Sequence, residues 1–208
     1  MIKASYSQLY MWFFKPIIFF LLRLFFSKIN VNNLFNDNNK PLLIIGNHFS
    51  WWDGFFGLFV AHKVLKRRLF VMMLEEQLIK RSYLSKIGAF SIKKNSKSAL
   101  DSLNHASGLL EKPENAVLIF PQGRFQTQWM QQITFEKGWI RIANGTRGRE
   151  KPQLVFMVCL VDYFPHLRPM LSIYISGFNS GNYNNNEEIE QAYNDFYHDC
   201  IKKQNLQT

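Results

Sequence analysis

The sequence contains few cysteines, few acidic residues and no uninterrupted apolar run long enough to cross a membrane. Its two cysteines, Cys159 and Cys200, are too few for a disulfide framework and have no metal-ligand spacing. We interpret Cys159 as a buried thiol and Cys200 as an exposed one, in a reducing, cytoplasmic setting. Asp and Glu number 15 against 25 Lys and Arg, so the formal net charge is +10. Such a charge favours an anionic partner: nucleic acid, anionic lipid or a phosphorylated cofactor.

Aromatic residues, in contrast, are abundant at 16% of the chain, and 20 of them are Phe. The hydrophobic content of 47% is ordinary for a globular protein, and 208 residues suit one domain with an appendage. No RNA-recognition or zinc-finger signature accompanies the positive charge. We therefore expect no nucleic-acid partner, and the oligomeric state stays open.

The N-terminal stretch from Leu9 to Phe26 is densely apolar, but Lys15 and Arg23 interrupt it and Pro16 lies within it. A helix that spans a bilayer needs about 20 apolar residues with few charges. We predict a membrane-associating helix or kinked helix pair in the interface, with aromatic side chains in lipid and cations at the headgroups. The alternative is a helix that packs on the domain. We assign residues 1–29 to this segment and residues 30–208 to the main domain.

Short apolar runs bounded by turn residues alternate with stretches of helical spacing along the rest of the chain. The runs predict strands at residues 41–46, 69–73, 89–92, 116–120, 154–161 and 171–175. Helices are expected at 48–60, 75–87 and 96–110, within 131–144, and at 187–203. This alternation is typical of an α/β fold with a largely parallel sheet flanked by helices.

A histidine and a carboxylate, His48 and Asp53, follow the first of these strands. Five positions apart, they can meet through a short turn that opens a helix. The carboxylate would then accept the imidazole N–H, fix its tautomer and stabilise the cation formed when the ring takes a proton. No protein nucleophile lies nearby in the sequence. The pattern therefore indicates a general base whose nucleophile arrives with the substrate.

Two further loops follow strands, where ligands bind in open α/β sheets. One carries Lys93 and Lys94 directly after residues 89–92. The other is the Phe120-Pro-Gln-Gly-Arg124 turn, in which backbone N–H groups beside a guanidinium offer a cradle for an anion. A base, its carboxylate and two basic loops fit transfer of a group to a hydroxyl of an anionic or amphipathic acceptor.

The Asn47-His48-x4-Asp53 segment resembles the NHxxxxD motif of the glycerolipid acyltransferases, which include the bacterial 1-acylglycerol-3-phosphate acyltransferases. Residues 88–94 are similar to that family's second block, a glycine and apolar residues before a basic one. Residues 120–124 resemble its third block, FPEGTR, and the later Phe135-x-x-Gly138 resembles its continuation. The NHxxxxD-like segment and the FPEGTR-like block, each directly after an apolar strand, together form a pattern that is specific to this family.

The resemblance implies that His48 is the general base toward an acceptor hydroxyl and that Asp53 orients it. The hydroxyl would attack the thioester of acyl-CoA or acyl-carrier protein, with no covalent acyl-enzyme, no bound cofactor and no metal. It further implies a phosphate- or acceptor-binding set and an acyl slot. The binding set comprises Lys93, Lys94, Gln122, Gly123 and Arg124, and the slot candidates are Trp51, Trp52 and Phe55.

The implied partners are a membrane lipid and the acyl donor. The implied location is the cytoplasmic face of the inner (plasma) membrane, where the protein would be peripheral or monotopic and serve phospholipid biosynthesis. The implied activity resembles 1-acylglycerol-3-phosphate O-acylation.

Three departures from the family pattern leave the acceptor open. Gln122 replaces a glutamate, Phe125 stands where an arginine is usual, and residues 155–158 lack the proline of the fourth block. Because the family's third block is assigned to acceptor binding, a lysophospholipid stands beside acceptors without glycerol phosphate, such as a glycoside or an amino lipid. A non-catalytic lipid-binding relative and a hydrolase that activates water are the remaining alternatives.

Overall fold

The computed structural model describes residues 1–93, 98–146, 151–178, 183 and 185–206. The helices in these ranges are α1 (Gln8–Phe25), α2 (Asp53–Phe59), α3 (Glu75–Lys80), α4 (Ser98–Leu109), α5 (Ile140–Asn144) and α6 (Asn186–Asn205). The strands are β1 (Lys28–Asn33), β2 (Leu42–Gly46), β3 (Arg68–Leu74), β4 (Ala89–Ile92), β5 (Asn115–Ile119), β6 (Gln153–Asp162) and β7 (Met170–Phe178). A π-helical segment, Val60–Val64, continues α2, and a 3-10 helix, Ser82–Ile87, follows α3.

The strands form one sheet in the order β1-β7-β6-β2-β5-β3-β4. All neighbouring strands run parallel except β6 and β7, which are antiparallel. The predicted α/β fold with a largely parallel sheet is therefore confirmed. β2 lies at the centre and all five of its residues are buried, as expected for a parallel strand covered on both faces.

Helices cover both faces of the sheet. Leu42 and Ile44 of β2 pack against α1, α2 and the π-helical segment on one face. Leu43 and Ile45 face α4, α5 and α6 on the other. Because side chains alternate along a strand, the single apolar run of β2 contributes to both halves of the core. Each such side chain, once fully buried, stabilises the fold by roughly 1.5–3 kcal/mol.

The N-terminal apolar segment is one continuous helix, α1, with Pro16 inside it, and not a helix pair. Met11, Ile18 and Leu22 are buried against the domain. Only 17% of α1 is buried against the rest of the protein. By its length and its mean hydropathy of 1.4, the helix could cross a membrane. The outward face is apolar as well and exposes Leu9, Tyr10, Trp12, Phe13, Ile17, Phe20, Leu24 and Phe25. The helix thus packs on the domain through one stripe and leaves a second apolar face uncovered.

Several elements differ from the sequence-based expectations. β1 was not predicted. It crosses the boundary proposed between residues 29 and 30, and the division of the chain into two parts stays a prediction. The helix expected at 75–87 is two shorter helices, and only Ile140–Asn144 of residues 131–144 is α-helical. The expectation of an exposed Cys200 was wrong, because α6 buries that thiol against the sheet.

Candidate active site

Asn47 anchors the chain where it leaves the central strand. Its side-chain amide donates to the carbonyl of Cys159 and its side-chain oxygen accepts the Cys159 N–H, both at 2.8 Å. The buried Asn47 side chain therefore continues the pairing of β2 with β6 after the β2 backbone has turned away. This contact determines the direction in which the next residue, His48, leaves the sheet.

Replacing Asn47 with alanine is expected to lower the free energy of unfolding by about 2–4 kcal/mol, because the buried N–H and carbonyl of Cys159 both lose their partner. The measurement is urea unfolding followed by circular dichroism. Asn104→Ala, on the exposed side of α4, is the control and should unfold at the wild-type midpoint. An unchanged midpoint for the Asn47 variant would contradict an anchoring role.

His48 and Asp53 meet as the sequence predicted. His48 Nδ1 lies 2.8 Å from Asp53 Oδ2, and the same oxygen accepts the N–H groups of Phe49 (2.8 Å) and Ser50 (2.9 Å). Asp53 is only 1% exposed, whereas the His48 side chain is 23% exposed. A proton on Nδ1 donated to Asp53 leaves the lone pair on Nε2. The arrangement is that of a base held by a buried carboxylate, while the catalytic roles stay predictions.

Burial raises the pKa of Asp53, and hydrogen bonds from His48, Ser50 and Phe49 oppose this rise. Its second oxygen, Oδ1, is buried and has no hydrogen-bond partner among the residues that the structure describes. A carboxylate charge in such a site is poorly solvated, so it gains from a positive charge on the adjacent imidazole. The buried carboxylate therefore lies directly against the Nδ1 edge of the imidazole, where it can hold the ring.

The loop after β5 holds the backbone of His48 on both sides. Gln122 Oε1 accepts the His48 N–H at 2.5 Å, and the Gln126 N–H donates to the His48 carbonyl at 2.8 Å. Gln122 Nε2 in turn donates to Gln126 Oε1. Both polar atoms of the buried Gln122 side chain therefore contact protein. Its expected contact with an acceptor stays a prediction, and the observed contacts indicate that it positions the His48 loop.

Two phenyl rings cover the faces of the imidazole. Phe120 stacks on His48 at a centroid distance of 4.3 Å and an angle of 15°, and Phe125 lies at 4.1 Å and 32°. Phe125 is 59% exposed, so it forms the outer wall of the site. A substrate hydroxyl can then approach the base only along the ring edge that carries Nε2. Sequence reasoning noted Phe125 as a departure from the family but missed this contact.

A sequence profile of the Acyltransferase family matches residues 28–159. The chain belongs to the acyltransferase family. The match runs from β1 into β6 and includes His48, Asp53 and the loop after β5. The resemblance based on the motif blocks is thus confirmed, and family membership supports acyl transfer in lipid metabolism. No curated protein with a significant match was found.

The acyltransferase carries its predicted cationic residues at two separate places. Arg124 is exposed and lies in the loop after β5, whose Gln122 and Gln126 hold the backbone of His48. Lys93 is exposed at the end of β4, three strands from β2, which corresponds to about 14 Å across the sheet. Lys94 lies outside the described residues. Gly123, with a φ of 65°, forms the turn, and its N–H donates to the Phe120 carbonyl. Of the two predicted cations that the structure describes, Arg124 is therefore the one whose loop adjoins the base.

The three acyl-slot candidates of the acyltransferase, Trp51, Trp52 and Phe55, share one apolar groove of about 140 Å³. Their rings contact one another at centroid distances of 5.0 to 6.1 Å. The remaining walls come from α1 and from the 3-10 helix: Phe14, Ile17, Ile18, Leu21, Tyr83, Leu84 and Ile87. Trp51 and Trp52 belong to the same short turn as His48, so the groove lies near the base, although His48 itself does not line it. Its role as an acyl slot stays a prediction.

Proposed function

We propose that this acyltransferase moves a fatty acyl group from acyl-CoA or acyl-carrier protein to a hydroxyl of a membrane lipid, with His48 as general base. The observation that carries the proposal is the 2.8 Å contact between His48 Nδ1 and Asp53 Oδ2 at the end of the central strand. The apolar groove beside it suits the acyl chain, and the exposed Arg124 suits a phosphate of the donor or acceptor.

The reaction begins when the acceptor hydroxyl gives its proton to Nε2 of His48 and its oxygen attacks the thioester carbonyl. The carbon–sulfur bond then breaks, and the thiolate takes the proton back from the imidazolium. Asp53 stabilises the imidazolium between these two steps. The stacked rings and the groove exclude water, which favours transfer over hydrolysis.

The absence of a covalent intermediate is supported by the surroundings of His48. Among the described residues, the imidazole has one hydrogen-bond partner, Asp53, and no hydroxyl or thiol. Cys159 is close enough to feel the charge of Asp53, but burial raises the pKa of its thiol well above the ordinary value. A protonated, buried thiol is a poor nucleophile. The attacking oxygen is therefore that of the substrate.

The acceptor would come from the membrane on which α1 rests. The uncovered face of α1 carries aromatic and aliphatic side chains over its whole length. Lys15 and Arg23 lie on the same helix, where they can reach lipid headgroups. We propose peripheral or monotopic attachment at the cytoplasmic face of the membrane, with the groove beside His48 open to lipid.

Phe125 favours a second candidate for the acceptor, a hydroxyl compound without glycerol phosphate, such as a glycoside or an amino lipid. The family's arginine at this position is replaced by a phenyl ring that stacks on the base. A ring binds an apolar or uncharged group better than it binds a phosphate dianion. Arg124, one position earlier in the chain, is a cation of the same loop and is exposed.

Replacing Phe125 with arginine is expected to raise the ratio of kcat/KM for a lysophosphatidic acid acceptor to that for a neutral acceptor by about tenfold or more, because a charge-assisted bond replaces the phenyl wall. Phe125→Leu keeps the site apolar and is the matched control. The ratio is measured by acyl transfer to both acceptors. An equal ratio for the two variants would show that the residue at position 125 does not select the acceptor.

The proposed function is tested with detergent-solubilised full-length protein, a panel of acyl-CoA and acyl-carrier-protein donors, and total lipid extract as acceptor. Thiol release and mass spectrometry of the lipids are recorded beside the His48→Ala variant. A new acylated lipid that disappears in the variant supports the transferase and identifies its acceptor. Thiol release without a new lipid indicates a thioesterase. A folded wild type inactive with both donors would favour a non-catalytic lipid-binding protein.

A further inference from the structure

The β6–β7 hairpin projects beyond the central strand at the edge of the sheet where His48 lies. Gly46, the last residue of β2, pairs with Met157 of β6. β6 continues past this point to Asp162, where it still pairs with Met170 of β7. Residues 158–162 extend the hairpin by roughly 16 Å at the rise of a β-strand. The tip, residues 163–169, therefore lies well outside the core.

The hairpin tip presents apolar side chains to the outside. Leu167 is fully exposed and Tyr163 is 61% exposed. The chain turns through a hydrogen bond from the His166 N–H to the Tyr163 carbonyl. Pro165 and Pro169 restrict the backbone, so little conformational entropy is lost when the tip contacts a partner. An isolated exposed leucine is common, but this tip adjoins a larger apolar surface.

That surface is the uncovered face of α1. Arg168 Nη1 donates to the carbonyls of Arg23 (3.1 Å) and Leu24 (2.9 Å), the last turn of α1. The N–H of Ser27 donates to the Pro169 carbonyl at 2.8 Å. The hairpin tip is thus attached to the end of α1 where Leu24 and Phe25 are exposed. The exposed side chains of the tip and those at the end of α1 therefore lie on either side of one junction.

The charges around this surface indicate which partner it fits. Arg23, Lys28 and Arg168 surround the junction of α1 and the hairpin tip, and Arg168 is exposed. Apolar and aromatic side chains bordered by cations suit a bilayer that contains anionic lipid. A protein partner could bind the apolar face of α1 alone, so it would not account for the exposed apolar tip next to that face.

We propose that the tip of the β6–β7 hairpin is a second bilayer contact, which acts with α1 to hold the carboxyl edge of the sheet against the membrane. The ring of Phe25 contacts that of Trp52 at a centroid distance of 5.1 Å, so the same junction borders the groove beside His48. Two contacts restrict the rotation of the domain on the membrane surface, which a single contact through α1 would allow. They keep the groove facing the lipid from which acceptor or acyl chain enters. The inference rests on the proposed attachment of α1 to the membrane.

The contact can be tested with fluorescent labels, because both native thiols are buried. Single cysteines at Leu167, at Trp12 on the outer face of α1 and at Glu111 at the opposite edge of the sheet carry an environment-sensitive dye. The full-length protein is mixed with vesicles of equimolar phosphatidylcholine and phosphatidylglycerol. Blue shifts at 167 and 12 without a shift at 111 support the proposal. A shift at 12 alone overturns it while α1 attachment stands, and shifts at none overturn both.

A substitution series gives an independent measurement. Leu167→Asp is expected to lower the vesicle partition coefficient about tenfold, because an inserted leucine side chain is lost and a charge is added. Leu34→Asp, which changes another exposed leucine after β1, should partition as wild type does. Equal partition of both variants would overturn the contact. Both variants should acylate detergent-solubilised acceptor at the wild-type rate. Loss of this activity in His48→Ala, and not in the two leucine variants, tests the proposed function separately.

Discussion

Replacing Asp53 with asparagine is expected to lower kcat/KM for acyl transfer by about 10²- to 10⁴-fold without unfolding the protein. The asparagine oxygen can still accept the N–H groups of Phe49 and Ser50, which now bond to Asp53 Oδ2. It cannot supply the negative charge that stabilises the imidazolium of His48. The loss should therefore appear in kcat at saturating acceptor, because the charge matters only once the proton has moved.

The same substitution changes the pH dependence of stability in a known direction. Burial raises the pKa of Asp53 above its ordinary value. The folded state therefore binds the proton more tightly than the unfolded state does. Asp53 contributes most to stability below its unfolded pKa, and this contribution is lost as pH rises through the raised folded pKa. Asparagine has no such proton, so the variant should lose less stability than wild type as pH rises through this range.

The measurement combines steady-state kinetics at neutral pH with melting temperatures across the range from the ordinary carboxyl pKa to neutrality. Asp101→Asn, on the exposed side of α4, is the control and should match wild type in both. Wild-type turnover of the Asp53 variant would exclude an orienting carboxylate. A collapse of the melting temperature at neutral pH would instead assign Asp53 to folding.

Replacing Gly88 with alanine is expected to lower the free energy of unfolding by about 3–4 kcal/mol, a large effect for the addition of one methyl group. Gly88 has a φ of 109°, and a Cβ there would lie 2.2 Å from the backbone carbonyl oxygen of Leu69. That oxygen belongs to β3, and the Gly88 carbonyl itself accepts the Val71 N–H. Relief of the clash would require β3 and the start of β4 to separate.

For a chain of this length, such a loss should lower the melting temperature by roughly 10 °C. Gly108→Ala is the control, because a Cβ at that position on α4 would have no heavy atom within 4 Å. That variant should keep or slightly raise the melting temperature, since alanine is the better helix former. Equal melting temperatures for the two variants would show that the β3–β4 edge adapts at little energetic cost.

Six strands and the turn between His48 and Asp53 were predicted correctly, because each has a clear local pattern, whereas β1 was not. The strand Leu42–Gly46 and the turn that brings Asp53 to His48 were predicted because the residues concerned are close in the chain. β1 was missed because its sequence, KINVNN, is short and contains only two apolar residues, Ile29 and Val31. It joins the sheet through backbone pairing with β7, more than a hundred residues away. Of the two forms expected for the N-terminal segment, a helix or a kinked helix pair, the structure has the single helix, because Pro16 does not end it.

The sequence by itself determined the family and the α/β class and predicted His48 as the base with Asp53 as its carboxylate, since these depend on local periodicity and short motifs. The order of the strands decided that the loop after β5 adjoins His48 and that Lys93, at the end of β4, lies three strands from β2. Tertiary contacts alone decided that Gln122 holds the His48 backbone and that Phe120 and Phe125 enclose its ring. They also decided that the hairpin tip meets the end of α1. Each of these contacts joins residues distant in sequence, so packing and strand order determine them and no local pattern encodes them.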